Sequence, residues 1–470
     1  MHKILGIVIT DGVGYRNYVM SNFMEEASLK FQKIIIYSGL PKEIYELHKD
    51  NIEIKELAVF AENNKTWFFR KSKEIAHLQQ YKSFFGMKDL LKSGYPKNNK
   101  PKAILAKIIY LITRFFNSHQ FIIFIEKMQF WTIANHKTTQ SYIKLLHEDN
   151  PDFIFFTHQR PAYLTPFLYS VLKLKIPVSS FIFSWDNLSS KGRMLGTFEY
   201  FLVWSELMKK ELLHFYPSTK SENIAVVGTP QFEPYSMDAY STDKIKFIEK
   251  FKLDPLKKII CFSCADSSIG QNDAIVIKAI ANAIRDNRIN FPSQLLVRTS
   301  PAEDGKRFEA VRTEFPEIVW NIPKWQLTRE NHSENWSQRI PTTEDFTDLK
   351  AILKYVDLNV NMCSTMSLDF MIFGKPIINT VFGNESNGLY NDQRFLNYTH
   401  YKKVIDSGAV VIAKEENDLI DKINFALEFP EDKLVQQEVL VKIQISKPIV
   451  GTGKRITEAL LNFMENAKKQ

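Results

Sequence analysis

Short apolar runs separated by polar loops and amphipathic segments recur along the whole chain. The runs KILGIVIT (3–10), KIIIYS (33–38) and PDFIFF (151–156) have the length and composition of buried strands. Segments with apolar residues at helical spacing stand between many of these runs. Strands that alternate with helices predict parallel sheets covered by helices, so the pattern indicates an α/β fold.

The plan of the first half recurs after a polar, charged stretch at about 236–255. Strands are predicted at KKIICFSCA (257–265), SQLLVR (293–298) and DLNVN (357–361), and GTGKRITEALLNFMENA (451–467) predicts a final helix. No short sequence repeat underlies the two halves. A chain of 470 residues exceeds what one core usually supports, so two domains are expected.

These patterns divide the chain into three parts. We expect an N-terminal Rossmann-like domain at 1–238, a C-terminal Rossmann-like domain at 239–447, and a helix at 448–470 that packs back on the first domain. Ligands of parallel sheets bind outside the carboxyl ends of the strands. The predicted fold is therefore α/β, with two Rossmann-like domains facing a cleft.

The net charge of +8 is concentrated in an insertion at about 65–144, which holds 15 Lys and Arg against three acidic residues. Two of its runs, KAILAKIIYLITRFF (102–116) and HQFIIFIEKMQFWTI (119–133), mix cations with large apolar side chains. That mixture suits a helix at an anionic bilayer surface, and it equally suits a buried helical pair whose cations reach outward. No nucleic-acid recognition module accompanies the charge, so nucleic acid is not an expected partner.

Composition favours a folded protein of a reducing compartment. The chain is 44% hydrophobic and 24% charged, and its three cysteines have no disulfide-framework spacing. Cys261 and Cys264 form a lone CxxC at a strand end, which we interpret as buried apolar residues. No window approaches the roughly 20 apolar residues of a spanning helix, and the start of the chain does not resemble a signal peptide. We expect a cytoplasmic protein, with peripheral contact to the inner face of the plasma membrane as one alternative.

A hydroxyl pair, Ser364 and Thr365, stands between the strand at 357–361 and an amphipathic segment. Hydroxyls and free backbone N–H groups at a helix N-terminus suit a phosphate, although Ser and Thr also cap helices with no ligand present. Asp369 lies about one turn further, where a carboxylate can accept hydrogen bonds from a ribose.

Polar loops also follow the predicted strands of the first half. Asp11, Gly12 and Gly14 follow the first strand, and the glycines permit positive φ and close approach of backbone to a ligand. This loop is not GxGxxG and fails as a dinucleotide fingerprint. His158 follows the strand at 151–156, and Asp186 lies in the loop SWDNLSSKGR. Further candidates for contact with a phosphate or the acceptor are Arg160, Asn187, Lys191, Arg193 and Gly228, with solvated loops as the alternative for the charged ones.

Taken together, these segments resemble glycosyltransferases of the GT-B type, and among them the bacterial CDP-glycerol glycerophosphotransferase-like and surface-polysaccharide transferases. The resemblance covers nearly the whole chain and rests on SWDNLSSKG (184–192), FLVWSELMKKELLHFY (201–216), VVGTPQFEPY (226–235) and CSTMSLDFMIFGKPII (363–378). It implies that Ser364 and Thr365 meet the donor diphosphate and that Asp369 lies near the ribose or sugar. Arg298 matches the arginine of a strand-ending R-x-H-P pattern, whose histidine position is Ser300 in this chain.

The resemblance implies transfer of a sugar from a nucleotide-sugar donor to a glycan, lipid-linked or protein acceptor in bacterial surface-glycan biosynthesis. No D-x-D triplet stands at a strand end, so we expect neither metal nor cofactor, and cations and helix dipoles must stabilise the leaving diphosphate. The candidates for the base are Asp11, His158 and Asp186. Asp186 is slightly favoured because Asn187 and nearby hydroxyls can orient it.

Three other functions stay open. They are a non-hydrolysing nucleotide-sugar 2-epimerase, a glycerol- or ribitol-phosphate transferase, and a non-catalytic subunit with the same fold. The serine at position 300, in place of histidine, counts against the first two.

Overall fold

The computed structural model describes residues 3–330 and 335–469. The chain forms two compact units: unit 1 is Met1–Pro234, Leu327–Ile340 and Gln444–Gln470, and unit 2 is Tyr235–Gln326 and Pro341–Ile443. The sequence pattern places the main boundary after residue 238. It contains no signal for the short segment 327–340, which the structure assigns to unit 1.

Unit 1 is built on a parallel sheet of seven strands. The strands are β1 (Ile4–Ile9), β2 (Lys33–Ser38), β3 (Ile52–Glu56), β4 (Phe153–Phe156), β5 (Val178–Phe181), β6 (Tyr200–Val203) and β7 (Ile224–Val226). Their spatial order is β3-β2-β1-β4-β5-β6-β7. The central strands β1, β2 and β4 are runs of Ile, Val, Phe and Tyr that are buried almost throughout, as a sheet covered by helices on both faces requires.

Ten helices of unit 1 lie between β1 and β7. They are α1 (Gly12–Tyr18), α2 (Phe23–Lys30), α3 (Asn64–Gln80), α4 (Phe85–Ser93), α5 (Pro101–Phe115), α6 (His119–Ile133), α7 (Lys137–Asp149), α8 (Thr165–Lys173), α9 (Asn187–Ser190) and α10 (Glu206–Phe215). The basic insertion comprises α3 to α6 and the first part of α7. Helix α3 packs on α4, α5 and α6. Helix α5 buries Ala106, Ile109 and Thr113 on one face and exposes apolar side chains on the other.

Unit 2 carries a second parallel sheet. The remaining strands of the chain are β8 (Lys258–Ser263), β9 (Ser293–Arg298), β10 (Val319–Asn321), β11 (Trp325–Leu327), β12 (Arg339–Pro341), β13 (Leu358–Asn361), β14 (Ile377–Thr380) and β15 (Val411–Ala413). Six of them form the sheet in the order β10-β9-β8-β13-β14-β15.

Helices cover this sheet and complete its core. They are α11 (Lys244–Phe251), α12 (Asp273–Arg285), α13 (Glu309–Glu314), α14 (Thr343–Tyr355), α15 (Met366–Ile372), α16 (Thr399–Asp406), α17 (Glu416–Glu428) and α18 (Leu434–Ile445). Ile260, Val297 and Val360 of the sheet pack with Ile277 of α12 and Ile423 of α17 in one buried cluster.

The last helix, α19 (Thr452–Ala467), belongs to unit 1. Its Phe463 ring stacks on Tyr200 of β6 with 4.7 Å between centroids. The backbone N–H of Gly453 donates to the buried Glu233 carboxylate at 3.0 Å. The prediction of two Rossmann-like domains with a terminal helix that returns to the first is confirmed. Among the described residues, no helix combines the length and apolar character needed to cross a membrane.

Candidate functional site

Asp11 and His158 meet at the point of the unit 1 sheet where the strand order reverses. Asp11 stands two residues after β1 and His158 two residues after β4, and these strands pair in parallel with Val8 opposite Phe156. His158 Nδ1 lies 3.1 Å from Asp11 Oδ2. The pair therefore occupies the position at which open α/β sheets bind their ligands.

Neighbouring groups hold both members of this pair. Asp11 is the N-cap of α1, and its Oδ1 accepts a hydrogen bond from the Gly14 N–H at 2.8 Å. The Thr10 hydroxyl donates to Asp11 Oδ2. The His158 ring stacks on Phe183 with centroids 3.9 Å apart and planes 16° apart. The imidazole is thus fixed in plane by Phe183 and at one nitrogen by Asp11.

The ionisation of the pair follows from its burial. Burial acts to raise the pKa of Asp11, but the hydrogen bond and charge of His158, with help from Thr10 and Gly14, outweigh it and leave that pKa lowered. Burial lowers the pKa of His158, Asp11 opposes this, and the charge of Arg160 adds to it. At neutral pH the pair is a carboxylate and a neutral imidazole whose Nδ1 proton faces Asp11. His158 Nε2, which has no hydrogen bond to any described residue, is then a proton acceptor.

Asp186 lies outside this pair. It precedes α9, and its carboxylate accepts hydrogen bonds from Asn187 Nδ2 at 3.0 Å and Ser190 Oγ at 3.2 Å. The ammonium of Lys191 lies 3.6 Å away, and the Asp186 side chain is 22% exposed. Asn187 and a hydroxyl do orient Asp186, as the sequence suggested. The same contacts occupy its carboxylate with partners from its own loop and helix.

Helix α9 and the loop after it are joined to the loop after β4. Gln159 Nε2 donates to Asn187 Oδ1 at 2.9 Å, and Arg160 Nη1 donates to the Gly192 carbonyl at 2.8 Å. Arg193 is buried, with its guanidinium carbon 4.2 Å from the centre of the Tyr216 ring. Hydrogen bonds therefore join Asn187 to the residue after His158, and Arg160 to the residue before Arg193.

The three glycines proposed as ligand contacts, Gly12, Gly14 and Gly228, each lie close to other parts of unit 1. Gly12 and Gly14 lie inside α1 and neither has a positive φ, so the positive φ that glycine permits is not adopted at these two positions. A Cβ on Gly12 would lie 1.6 Å from the Arg339 carbonyl oxygen, which shows that its close approach is to the chain itself. Gly228 does have a positive φ of 83° and packs against Lys447.

Ser364 and Thr365 occupy the corresponding position in unit 2. They follow β13, which pairs in parallel with β8 on one side and β14 on the other, so the strand order reverses between β8 and β13. Asn361 Oδ1 accepts from the Ser364 N–H at 3.0 Å, and Ser364 Oγ accepts from the Met366 N–H at 3.1 Å. Cys363 adopts a φ of 47°, which turns the chain sharply between strand and helix.

The turn at Ser364 is held by buried asparagine side chains of β13 and β14, which the sequence analysis did not identify. Asn361 Nδ2 donates to Asn359 Oδ1 at 2.7 Å, and Asn379 Nδ2 donates to Asn361 Oδ1 at 3.0 Å. The Tyr401 hydroxyl donates to Asn379 Oδ1 at 2.7 Å and lies 3.0 Å from the Ser367 hydroxyl. The signal was present as asparagines inside the apolar strands LNVN and IINT.

The other donor-side candidates have partners inside unit 2. Arg298 is buried and pairs with Asp345 through Nη2 to Oδ2 at 3.0 Å. The Ser300 hydroxyl donates to Asp266, and Asp369 accepts from the Tyr235 hydroxyl at 2.5 Å. Their contacts with a donor stay predictions. Among the described residues, no group of three or more His, Cys, Asp or Glu side chains is placed to hold a metal ion, and metal independence also stays a prediction.

No protein-family model matches the chain, and no curated protein matches its sequence. Solved structures match it over nearly the full length. A putative UDP-N-acetylglucosamine 2-epimerase from Listeria monocytogenes aligns with a TM-score of 0.57 at 9% identity, covering 99% of this chain and 98% of that one. The UDP-GlcNAc 2-epimerase from Neisseria meningitidis, solved with UDP-GlcNAc bound, aligns with a TM-score of 0.51 at 12% identity, covering 98% and 100%.

A glycosyltransferase from Rickettsia africae aligns with a TM-score of 0.52 at 11% identity, covering 100% of this chain and 99% of that one. At such identities the likeness concerns the fold alone. The chain has the GT-B fold, which these epimerases and glycosyltransferases share. The narrower resemblance to CDP-glycerol transferases is not supported by these structures.

Proposed function

We propose that the protein is a glycosyltransferase that moves a sugar from a nucleotide-sugar to an acceptor hydroxyl in bacterial surface-glycan biosynthesis. The observation that carries this proposal is the Asp11–His158 pair at the reversal point of the unit 1 sheet. As the acceptor oxygen forms its bond to the anomeric carbon, the bond from that carbon to the diphosphate breaks. The acceptor proton then has to pass to a base, and His158 Nε2 takes it.

Asp11 is a positioning residue in this scheme. Its carboxylate holds the Nδ1–H of His158 and stabilises the imidazolium that forms when Nε2 accepts the proton. This assignment replaces the slight preference for Asp186, which lies beside a lysine. Asp186 is retained as a candidate contact with the acceptor.

Unit 2 binds the nucleotide-sugar through the turn after β13. The hydroxyls of Ser364 and Thr365 and the nearby backbone N–H groups are the candidate donors to the diphosphate, and the buried asparagines below them hold the turn in place. Because leaving diphosphate gains charge in the transition state, fixed donors in this turn assist its departure.

The double variant Ser364→Ala/Thr365→Ala is expected to weaken binding of the preferred nucleoside diphosphate at least tenfold. A hydrogen bond to a charged group is worth about 1.5–3 kcal/mol, and two are removed. Calorimetric titration with UDP, GDP, CDP and ADP measures the effect. The matched control is Thr313→Ala/Ser407→Ala, which removes two hydroxyls of unit 2 that donate to backbone carbonyls. Equal nucleotide affinity in the two double variants would sink the diphosphate assignment.

A nucleotide-sugar 2-epimerase is the second candidate, favoured by the solved epimerases that share the fold, one of them with UDP-GlcNAc bound. Epimerisation at C2 inverts a carbon centre of the donor without any acceptor. Transfer instead leaves C2 untouched and requires an acceptor hydroxyl.

Incubation with nucleotide-sugars in D₂O separates the two functions. A transferase leaves the donor's C2 proton in place and converts the donor only when an acceptor is added, because its base acts on the acceptor hydroxyl. An epimerase yields a second isomer without acceptor, and the C2 position exchanges with solvent deuterium. Proton NMR of the recovered nucleotide-sugar reads both results, and C2 deuteration without acceptor contradicts the transferase proposal.

We also propose that helix α5 contacts an anionic membrane surface. Its outward face carries large apolar residues that are 38–72% exposed, namely Ile104, Ile108, Leu111, Ile112 and Phe115. Phe124 and Trp131 on α6 are also exposed, and the insertion carries the excess of cations. Exposed apolar side chains beside cations match acyl chains beside anionic headgroups.

The protein is expected to sediment with anionic lipid vesicles at low salt. The sedimented fraction should fall as salt rises, because salt screens the attraction between the cations and the anionic headgroups. Leu111→Glu/Phe115→Glu should abolish pelleting. Leu256→Glu is the matched control, since Leu256 is an exposed leucine of unit 2 at 89%. Pelleting that survives the α5 variant, or that never occurs, would contradict the proposal.

A further inference from the structure

Arg193 is a buried cation without a counter-ion. Its side chain is enclosed, with 5% of the residue exposed, and its Nε and Nη1 atoms have no hydrogen-bond partner among the described residues. No carboxylate of a described residue lies within ion-pair distance of it. Its guanidinium carbon lies over the face of Tyr216, 4.2 Å from the ring centre. A ring face offsets part of the charge but accepts none of the guanidinium's directed hydrogen bonds.

The His77 ring packs near the same Tyr216 ring, and its two nitrogens also lack hydrogen-bond partners among the described residues. The residue is fully buried in α3, and neither of its ring nitrogens has a hydrogen-bond partner among the described residues. Its ring centre lies 5.3 Å from that of Tyr216. Burial, followed by the charges of Arg193 and Arg160, depresses the pKa of His77. The imidazole is therefore neutral, and it can donate one N–H to an anion.

The basic insertion encloses this place. A Cβ on Gly192 would meet the Glu74 side chain of α3 at 3.2 Å, so the loop that carries Arg193 lies directly against that helix. Lys73 of α3 donates to the Leu195 carbonyl at 2.6 Å, and its ammonium lies 3.6 Å from Glu126 of α6. Lys73 is thereby committed, whereas Arg193 is not. Helices α3 and α6 therefore flank the loop that carries Arg193, since the Thr197 N–H of this loop also donates to Glu126 of α6 at 2.9 Å.

Buried charges in folded proteins are paired, and a buried arginine with free donors is best explained by an anion that occupies the site. Planar guanidinium donors match the oxygens of a phosphate in pairs. The Arg160 side chain, two residues after His158, binds the carbonyl next to Arg193 and brings a second cation to the edge of the site.

We infer that Arg193 and His77, with Arg160 at the edge, bind a phosphate group of the acceptor, so that the acceptor is a phosphate-bearing molecule. The inference rests on the proposed function, because it takes the anion to be part of the acceptor. In this inference the insertion supplies His77 and covers the loop that carries Arg193.

The test measures binding of inorganic phosphate by calorimetry, at constant ionic strength in chloride, with the full chain. Arg193→Met is expected to weaken phosphate binding at least tenfold, and to do so equally in the Ser364→Ala/Thr365→Ala chain, where phosphate binding by unit 2 is reduced. The matched control is Arg312→Met, an arginine that also stacks on an aromatic ring, Trp320, but is 29% exposed and has Glu309 within 4.0 Å. Arg312→Met should bind phosphate as the wild-type chain does.

Competition assigns the source of the phosphate. Displacement by glucose 1-phosphate indicates a soluble phosphate ester, and displacement only by phosphatidic acid vesicles indicates a lipid-borne one; both support the inference. If Arg193→Met does not fold, Arg193→Lys, which keeps the charge and loses the planar fork, should weaken binding to an intermediate degree. Unchanged phosphate affinity in the Arg193 variants, or no phosphate binding by the Ser364→Ala/Thr365→Ala chain, overturns it. If the protein transfers no sugar but the Arg193 variants weaken phosphate binding as expected, the proposed function is wrong and the phosphate site is still supported.

Discussion

Replacement of His158 by glutamine is expected to lower turnover by about 10²–10⁴-fold, the range that a positioned general base contributes. Nucleotide affinity should not change, because the residues assigned to the nucleotide belong to unit 2. Glutamine keeps a polar group of similar length but has no basic nitrogen. The measurement is kcat for sugar transfer, together with calorimetric affinity for the nucleoside diphosphate.

Two controls make the His158 result specific. His147→Gln removes an exposed histidine of α7 and should leave turnover unchanged. Asp186→Asn removes the competing candidate and should reduce turnover far less than His158→Gln. A large loss in Asp186→Asn, with turnover retained in His158→Gln, would return the role of base to Asp186.

The dependence of turnover on pH should show the direction in which the pKa of His158 is shifted. The base must be neutral, so activity falls on the acid side as His158 takes up a proton. Because burial lowers the pKa of His158, the fall should come below the ordinary titration range of histidine, and activity should be flat through neutrality. Asp11→Asn removes the carboxylate that opposes this shift, so it should move the acid limb lower still while turnover drops. A variant that lost turnover by misfolding alone would keep the wild-type pH profile in its residual activity.

Pattern alone predicts the sheets, because parallel strands buried on both faces must be short apolar runs, as in the stretches around Val8 and Phe156. It also predicts that polar residues after those strands share one edge. It does not predict that Asp11 and His158 form a pair, since these residues are 147 positions apart and meet only because β1 and β4 are neighbours. From the sequence, Asp11 and His158 are two separate candidates for the base. In the structure they form one pair, because β1 and β4 are neighbouring strands.

The Arg193 site lies further beyond sequence reasoning. The charge of Arg193 suggested a contact with a phosphate or the acceptor. His77 is a single histidine in an amphipathic helix, and nothing in its sequence context indicates a binding site. Their meeting depends on how the insertion packs on the loop after α9, which hydrophobic periodicity does not encode. At Gly12 the sequence suggested more than the structure shows. A glycine after a strand suggested a loop that approaches a ligand, whereas the absence of a side chain at Gly12 leaves room for the Arg339 carbonyl.

Asp345→Ala is expected to destabilise unit 2 by about 3–5 kcal/mol, because it leaves the Arg298 charge buried without its partner. Arg298 is 6% exposed and Asp345 is 2% exposed. Their contact is two-pronged, with Nη2–Oδ2 at 3.0 Å and Nη1–Oδ1 at 3.2 Å, and Trp325 Nε1 adds a third bond to Asp345 at 3.0 Å. Hydrogen-exchange mass spectrometry of the full chain localises the loss to peptides of β9 and α14.

The contrast with an exposed pair tests whether burial is the cause. Arg285 and Glu317 are also bonded through a guanidinium, but their side chains are 42% and 50% exposed, so Glu317→Ala should cost no more than about 1 kcal/mol. The double variant Arg298→Met/Asp345→Leu should recover most of the stability lost in Asp345→Ala, since it removes both charges together. Arg298→Met then decides between structure and donor binding. If it loosens β9 while nucleotide affinity holds, Arg298 is a structural residue; if nucleotide affinity falls in a unit of unchanged stability, the donor role implied by the resemblance is correct and the Asp345 contact is secondary.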